Sequence, residues 1–200
     1  MIALLIRHAS TESFRHALAG RGDGISLSAE GEKESAALAK SLENFDISAI
    51  YSSPLNRAIE TARKIRDSVT IDTRLNEIDY GAWTGRSFES LNSDPLWRQF
   101  NLAQGHLRCP TGEAMLEVQA RITALVEEIS GRHGGGCAAF VTHAGVIRAA
   151  VCHYAGIPLD LAPRIEISPA SVTAIQILPG DPRILLMNGT VDLLPFVPLA

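Results

Sequence analysis

Two hundred residues lie below the ~250–300 at which chains usually divide, so one domain over 1–200 is expected, with a core large enough to need no cross-links. Eighteen Lys and Arg against 22 Asp and Glu give a net charge of -4, which excludes the broad basic field that nucleic-acid binding uses; any anion must be held by a local cluster. The 46% hydrophobic and 20% charged composition is that of a globular chain, and Cys109, Cys137 and Cys152 lack the spacing of a disulfide framework or zinc knuckle, so reduced thiols are expected.

Ile2 to Ile6 is a continuous apolar run, the pattern of a strand buried on both faces of a parallel sheet, and it stops abruptly at Arg7-His8. No basic stretch precedes it and no small-residue cleavage site follows, so neither a signal peptide nor a membrane span is expected. No other apolar run reaches the ~18–20 residues of a span, and a soluble, cytoplasmic protein is the expectation. A helix is predicted from 28 to about 44, with Ser28 as cap and Ala36, Leu38, Leu42 and Phe45 on its apolar side. A strand over 47–51 follows. Ser52-Ser53-Pro54 then reads as a helix start with Pro54 at the first position, carrying a stripe of Leu55, Ala58, Ile59, Ala62 and Ile65.

A short strand is predicted over 69–73. The stretch from 75 to about 110 is irregular, with helical pieces at best, and Trp83 and Trp97 read as either packing it or contacting ligand. Thr111-Gly112-Glu113 opens a helix whose apolar face is Met115, Val118, Ile122, Leu125, Val126 and Ile129, with Gly131 as its stop. Gly134-Gly135-Gly136 lacks the Lys-Ser/Thr ending of a phosphate loop and reads as the turn into a strand over 137–141. A buried helix over 145–154 and strands over 171–178 and 183–187 complete the pattern.

Strands alternating with helices predict an α/β fold, a three-layer αβα domain with a mainly parallel central sheet. Ligands of such sheets bind beyond the carboxyl ends of the strands. Arg7-His8, the 52–54 turn leading into Arg57, and Thr142-His143 all fall at such ends, so two arginines and two histidines are expected to share one rim. Guanidinium forks match phosphate oxygens, and helix starts add backbone N–H donors. A histidine in that cage can attack phosphorus itself and form phosphohistidine. The leaving alkoxide then needs a proton from a carboxyl of raised pKa, for which Glu77 and Asp79 are the candidates.

Leu5-Ile6-Arg7-His8-Ala9-Ser10-Thr11 resembles the signature of the histidine phosphatase superfamily, also called phosphoglycerate mutase-like, whose usual form is Arg-His-Gly-Glu-Thr. The resemblance continues, in order, at Leu27–Gly31, Ser52–Ala62, Leu75–Gly85, Pro110–Glu113 and Val141–Arg148. A lone Arg-His pair carries no weight, whereas the ordered set spans nearly the whole chain. The resemblance implies that His8 is the phosphorylated nucleophile, that Arg7, Arg57 and His143 hold the phosphoryl group, and that Glu77 rather than Asp79 is the acid. It implies no metal and no cofactor.

The chain departs from the pattern at Ala9 for Gly, at Ser10 for Glu or Gln, and at Phe14, where many members carry a phosphate-contacting Asn. Thr84 and Thr111 stand where a Glu and a Gly are usual. Thr11 or Arg21 is expected to reach the phosphate in place of that Asn. His16, His106, His133 and His153 are read as surface or packing residues, with His16 and His106 nearest the pocket.

The expected activity is hydrolysis of a small phosphomonoester, with no nucleic-acid or membrane partner; the oligomeric state, a homodimer included, is open. The alternatives are a phosphoglycerate-type mutase and a catalytically quiet phosphate-binding member. Length favours the hydrolase, because the usual cofactor-dependent mutases are longer and carry inserts.

Overall fold

A computed structural model of the chain describes residues 1–12, 16–133 and 135–190; Phe14, Gly134 and residues 191–200 lie outside them. The first strand, β1 (Ile2–Arg7), is apolar on both faces and lies inside a six-stranded sheet. Its partners are β2 (Ile47–Ser52), β3 (Thr70–Ile71), β4 (Cys137–Thr142), β5 (Val172–Gln176) and β6 (Arg183–Gly189), in the order β3-β2-β4-β1-β5-β6. The pairs β3/β2, β2/β4 and β4/β1 are parallel, while β5 runs antiparallel to both β1 and β6. The predicted parallel sheet is thus present, extended on one side by an antiparallel pair.

Period-2 alternation divides the strand side chains between two cores. Ala3, Leu5, Ala138 and Phe140 face α5 (Met115–His133) and α6 (Ala144–Ala155), whereas Ile2, Leu4, Ile6, Ala139 and Val141 face α1 (Ala29–Leu42) and α2 (Asn56–Ile65). These are the three expected layers. Two short helices, α3 (Phe88–Asn92) and α4 (Pro95–Leu102), lie within the irregular stretch, together with single 3-10 turns at Thr73–Leu75 and Gly81–Trp83. Trp83 packs edge-on against Trp97 and Phe100, so of the two readings left open for the tryptophans the structure supports packing of this segment. Among the described residues no helix is long and apolar enough to cross a membrane. All three cysteines are free and buried.

Several boundaries differ from the sequence pattern. In α1 the buried face is Gly31, Ser35, Leu38 and Leu42; Ala36 is exposed and Phe45 lies beyond the helix. The face is rotated because the helix packs against the chain leaving β1, where a Cβ on Gly31 would stand 2.0 Å from the Ser10 carbonyl oxygen. Only residues without bulk fit there. Ser28 caps α1 as predicted, accepting the Gly31 N–H.

Helix α2 starts at Asn56 rather than at Pro54, because the Ser53 N–H still donates to Val141 in the sheet, leaving Leu55 as a cap whose carbonyl accepts from Ala58 and Ile59. This phase turns Arg57 and Thr61 inward. Helix α5 starts at Met115, where the carboxylate of Glu117 in its first turn reaches back to accept the preceding Ala114 N–H, half of a capping box, and it runs through Gly131.

Leu38→Ala is expected to cost about 2–5 kcal/mol as a buried truncation, whereas Ala36→Ser should change stability by less than about 0.5 kcal/mol. Urea midpoints for the two variants check which face of α1 is buried.

Candidate active site

The β1/β4 register pairs Arg7 with Thr142, which sets His8 and His143 side by side just past the strand ends. The His8 N–H donates to the Thr142 carbonyl at 2.9 Å, and the two imidazole centroids are 5.0 Å apart. Neighbouring β2 delivers Ser53 to the same edge, and α2 brings Arg57 in from below.

His8 Nδ1 lies 2.7 Å from the Ala9 carbonyl, so it carries the proton and leaves Nε2 with a lone pair; Arg57 Nε donates toward that Nε2 at 3.3 Å. Ala9 is held in turn by Thr61, whose Oγ1 accepts the Ala9 N–H at 3.0 Å and donates to the Arg57 carbonyl. His143 is fully buried, with Nε2 2.8 Å from Ser53 Oγ and Nδ1 3.4 Å from Arg57 Nη2. Arg57, only 1% exposed, also donates from Nη2 to the Gly20 carbonyl at 2.7 Å, while its Nη1 is buried without a hydrogen-bond partner. Arg7 Nη1 donates to the Ile167 carbonyl at 2.6 Å.

Arg7, His8 and Arg57 wall a cavity of about 290 Å³ that Thr11, Glu77, Arg148 and Glu166 also line. A larger depression of about 710 Å³ lies at the opposite end of the sheet, near Met1 and Ile177. Chemistry rather than size separates the two, because the two arginines and His8 converge on the smaller one.

Burial first, then Arg57 and Arg7, hold the His8 imidazole well below its ordinary pKa of 6.5, against the opposing pull of the Ala9 carbonyl. His143 is lowered by burial, then by His8 and Arg57. Burial also lowers the Arg57 guanidinium and pushes Arg7 down to about 10. Both histidines are therefore neutral in the free site, with the lone pairs on His8 Nε2 and His143 Nδ1 turned toward Arg57.

Glu77 sits at the edge of this cage, its Oε2 3.9 Å from His143 Nδ1 and its Oε1 accepting the Ile78 N–H at 2.9 Å. Burial pushes its carboxyl above the usual range, against the Ile78 N–H and the charges of Arg57, Arg7 and Arg121. The close fit requires Gly145 at the start of α6, where a Cβ would meet Ile78 Cδ1 at 2.4 Å and Glu77 Oε1 at 3.2 Å. The Glu77 backbone is braced from outside by two arginines. Arg21 Nε donates to the Glu77 carbonyl at 2.8 Å and Arg121 Nη2 does so at 3.2 Å. Glu113 lies between them, pairing with Arg21 at 2.9 Å and Arg121 at 3.1 Å and accepting the Asp79 N–H.

The structure thus brings His8, Arg7, Arg57, Glu77 and Thr11 around one cavity, with His143 fully buried beside His8 and Arg57 rather than in its wall. Arg21, expected on the phosphate, is not in that wall: its guanidinium is committed to the Glu77 carbonyl, Asp79 and Glu113. Asp79 likewise pairs with Arg21 rather than facing the histidines, so position alone separates it from Glu77. His16 is exposed and His106 pairs with Asp160 at 3.7 Å; neither lines the cavity. His153 is exposed beside Glu127, and the His133 side chain lies outside the described residues.

The anionic group missing at Ser10 is supplied from α1, where the Glu34 carboxylate accepts both the Ser10 N–H and Oγ–H at 2.7 and 2.8 Å. Sequence reasoning missed this contact, and it missed Arg148 and Glu166 as cavity residues. The signal for Arg148 was its place one helical turn beyond His143, on the inner end of α6. Among the described residues no group of three or more His, Cys, Asp or Glu is placed to hold a metal ion.

Fold and site together define a phosphoglycerate mutase-like histidine phosphatase architecture, and similarity to known proteins agrees. The chain belongs to the histidine phosphatase superfamily (branch 1), whose family model matches residues 3–190. It is 29% identical over 199 residues to phosphoserine phosphatase 1 of Hydrogenobacter thermophilus, covering 95% of this chain and 93% of that protein. It is 31% identical over 195 residues to the 2,3-bisphosphoglycerate-dependent phosphoglycerate mutase of Thermoplasma acidophilum, covering 94% and 92% respectively. Among solved structures, Bacillus stearothermophilus YhfR superposes with a TM-score of 0.86 at 29% identity, covering 94% of this chain and 97% of that one. The mutase match removes the inference from length: a mutase relative is covered almost end to end, so a chain of this size does not by itself favour hydrolysis.

Since the native pKa of His143 lies below its unfolded value, the unfolded chain binds more protons as pH falls through the ordinary histidine range, and stability drops. The stability advantage of the wild type over His143→Gln should therefore shrink between about pH 7.5 and about pH 5 in urea titrations. Removing the shared anion with Glu113→Ala leaves buried donors unpaired and should cost about 1–3 kcal/mol. Amide exchange over residues 77–81 should accelerate in that variant while the sheet amides keep their protection.

Proposed function

We propose that the chain is a phosphomonoester hydrolase that works through a phosphohistidine at His8 and needs no metal. The observation that carries this reading is Arg57: a buried guanidinium hydrogen-bonded only to neutral groups, with Nη1 lacking any hydrogen-bond partner, next to a histidine whose Nε2 lone pair is available. An unsatisfied buried donor costs about 1–3 kcal/mol, and a phosphoryl oxygen relieves that cost. Arg7 and Arg57 carry the positive charge facing the phosphate, with Thr11 at the wall. A bound dianion also favours protonation of His143, turning its Nδ1 into a further donor.

His8 Nε2 attacks phosphorus, the bond from phosphorus to the ester oxygen breaks, and the Glu77 carboxyl gives its proton to the departing alkoxide. Water then attacks phosphorus, its proton passes to the Glu77 carboxylate, and the phosphorus–nitrogen bond breaks to release phosphate and neutral His8. The raised pKa of Glu77 suits both halves of the cycle. The brace formed by Arg21, Arg121 and Glu113 keeps the carboxyl on the leaving-group side. The family, with relatives named as phosphatases, supports the hydrolase. The relative named as a mutase supports a second reading, in which the phosphoryl group returns from His8 to another hydroxyl.

Incubation with a phosphomonoester panel in chelator is expected to give turnover and an acid-labile phosphoenzyme in the wild type, with both lost in His8→Ala. Undiminished turnover in that variant would falsify the assignment, and phosphate binding without turnover in the wild type indicates a binding member. 3-Phosphoglycerate with bisphosphoglycerate separates the two enzymes: a mutase forms 2-phosphoglycerate, a hydrolase only free phosphate. Glu77→Gln should lose about 10²–10⁴-fold on alkyl phosphates and much less on p-nitrophenyl phosphate, whose leaving group needs little protonation. Equal losses on both count against Glu77 as the acid.

A further inference from the structure

The cavity has a second charged wall that the phosphoryl chemistry leaves unused. Arg148, on the first turns of α6, and Glu166, which follows a 3-10 segment at Leu159–Arg164, both line it. The chain from Ile165 to Ile167 sets them in place: its Ile165 carbonyl accepts Arg148 Nε at 2.7 Å, its Ile167 carbonyl accepts Arg7 Nη1 at 2.6 Å, and Glu166 lies between the two anchors. Nε is thereby occupied, and the guanidinium is oriented with its two terminal nitrogens left for other partners.

Arg148 and Glu166 make no ion pair with each other or with any described residue. Both line one small cavity whose phosphate end is already supplied by Arg7 and Arg57, near enough to Arg7 to act on its charge, yet neither has an opposite charge in direct contact. A carboxylate matches the Arg148 fork and an ammonium matches the Glu166 carboxylate. A neutral alcohol or sugar leaves both charges without a partner, and a simple acid leaves Glu166 facing a like charge. The cavity of about 290 Å³ is at the low end for ligand pockets and suits a leaving alcohol of few atoms.

We propose that Arg148 and Glu166 form a subsite for the alcohol half of the substrate and select a phosphorylated hydroxy amino acid, a zwitterion whose carboxylate sits on Arg148 and whose ammonium sits on Glu166. This rests on the hydrolase reading above and names the substrate class of that site. Neither residue touches phosphorus or the departing oxygen, so their work is discrimination between esters.

Three alkyl esters test the subsite, O-phospho-L-serine, 3-phosphoglycerate with a hydroxyl in place of the ammonium, and phosphoethanolamine without the carboxylate; the aryl ester p-nitrophenyl phosphate, with neither group, reports the phosphoryl chemistry alone. Wild-type kcat/KM is expected to be highest for phosphoserine among the three alkyl esters. Arg148→Gln should lower the ratio of phosphoserine to phosphoethanolamine at least about tenfold, because only the former places a carboxylate there. Glu166→Gln should lower the ratio of phosphoserine to 3-phosphoglycerate by a similar factor; its exposed position lets this variant fold even where Arg148→Gln does not. If the wild type turns over p-nitrophenyl phosphate but the ratios among the alkyl esters do not move in either variant, the subsite is overturned and the hydrolase stands. If no ester is turned over, the hydrolase reading itself fails, and the subsite with it.

Discussion

Burying a guanidinium in the middle of a protein is costly unless its donors are met and its charge is compensated, and Arg57 is buried without a carboxylate in contact. What surrounds it is a set of weaker partners: the Gly20 carbonyl, His8 Nε2 at 3.3 Å and His143 Nδ1 at 3.4 Å. Those long bonds tie the states of three residues together. Burial, reinforced by the arginine's charge, keeps both imidazoles neutral, and they present lone pairs to it. In the proposed reaction each changes partner when the phosphate arrives, so the site is organised beforehand and its reorganisation is confined to protons and side-chain donors.

Much of the surrounding architecture holds this arrangement in place. Thr61, one helical turn after Arg57, ties the Arg57 carbonyl to the Ala9 N–H, and the Ala9 carbonyl sets the His8 tautomer. Ser53 holds the far nitrogen of His143 while its own N–H closes the β2/β4 edge. Glu34 anchors the next turn of chain through Ser10. Support for His8, the proposed nucleophile, thus comes mainly from the α1/α2 side of the sheet. The opposite side holds Glu77, the proposed acid: α5 carries Arg121, α6 accepts the Glu77 loop at Gly145, and Glu113 joins the arginines that grip the Glu77 carbonyl. The two proposed catalytic groups are therefore supported from separate faces of one sheet and meet at its edge.

The irregular stretch between the third strand and α5 has a physical role within that plan. Its aromatic cluster of Tyr80, Trp83, Trp97 and Phe100 ties the loop into the core shared with α5 and α6, and Asp94 binds both Trp83 Nε1 and Arg86. The loop that carries the proposed acid needs such anchoring, because regular backbone hydrogen bonding does not reach it.

The layered α/β fold, the strand order of apolar runs and the cluster of Arg7, His8, Arg57 and His143 at the strand ends were all legible in the sequence. Buried parallel strands are uninterrupted apolar runs, and the chemistry begins where such a run breaks into Arg-His or Thr-His. The motif blocks also marked Glu77, because its segment is part of an ordered pattern. What the sequence could not show depends on direction and phase. The β1/β4 register decides that the two histidines stand abreast, and the late start of α2 decides that Arg57 turns inward. Arg21 carries the same charge as Arg7, yet its guanidinium is spent on a backbone carbonyl and two carboxylates, a use that residue type does not reveal. The net charge of -4 and the histidine count describe the whole chain, whereas the field at the site comes from a few side chains brought together from β1, α2, α6 and the loops between. Local sequence determines which backbone forms and which side chains can do chemistry; only packing decides which of them face the same space, because that depends on contacts between residues far apart in the chain.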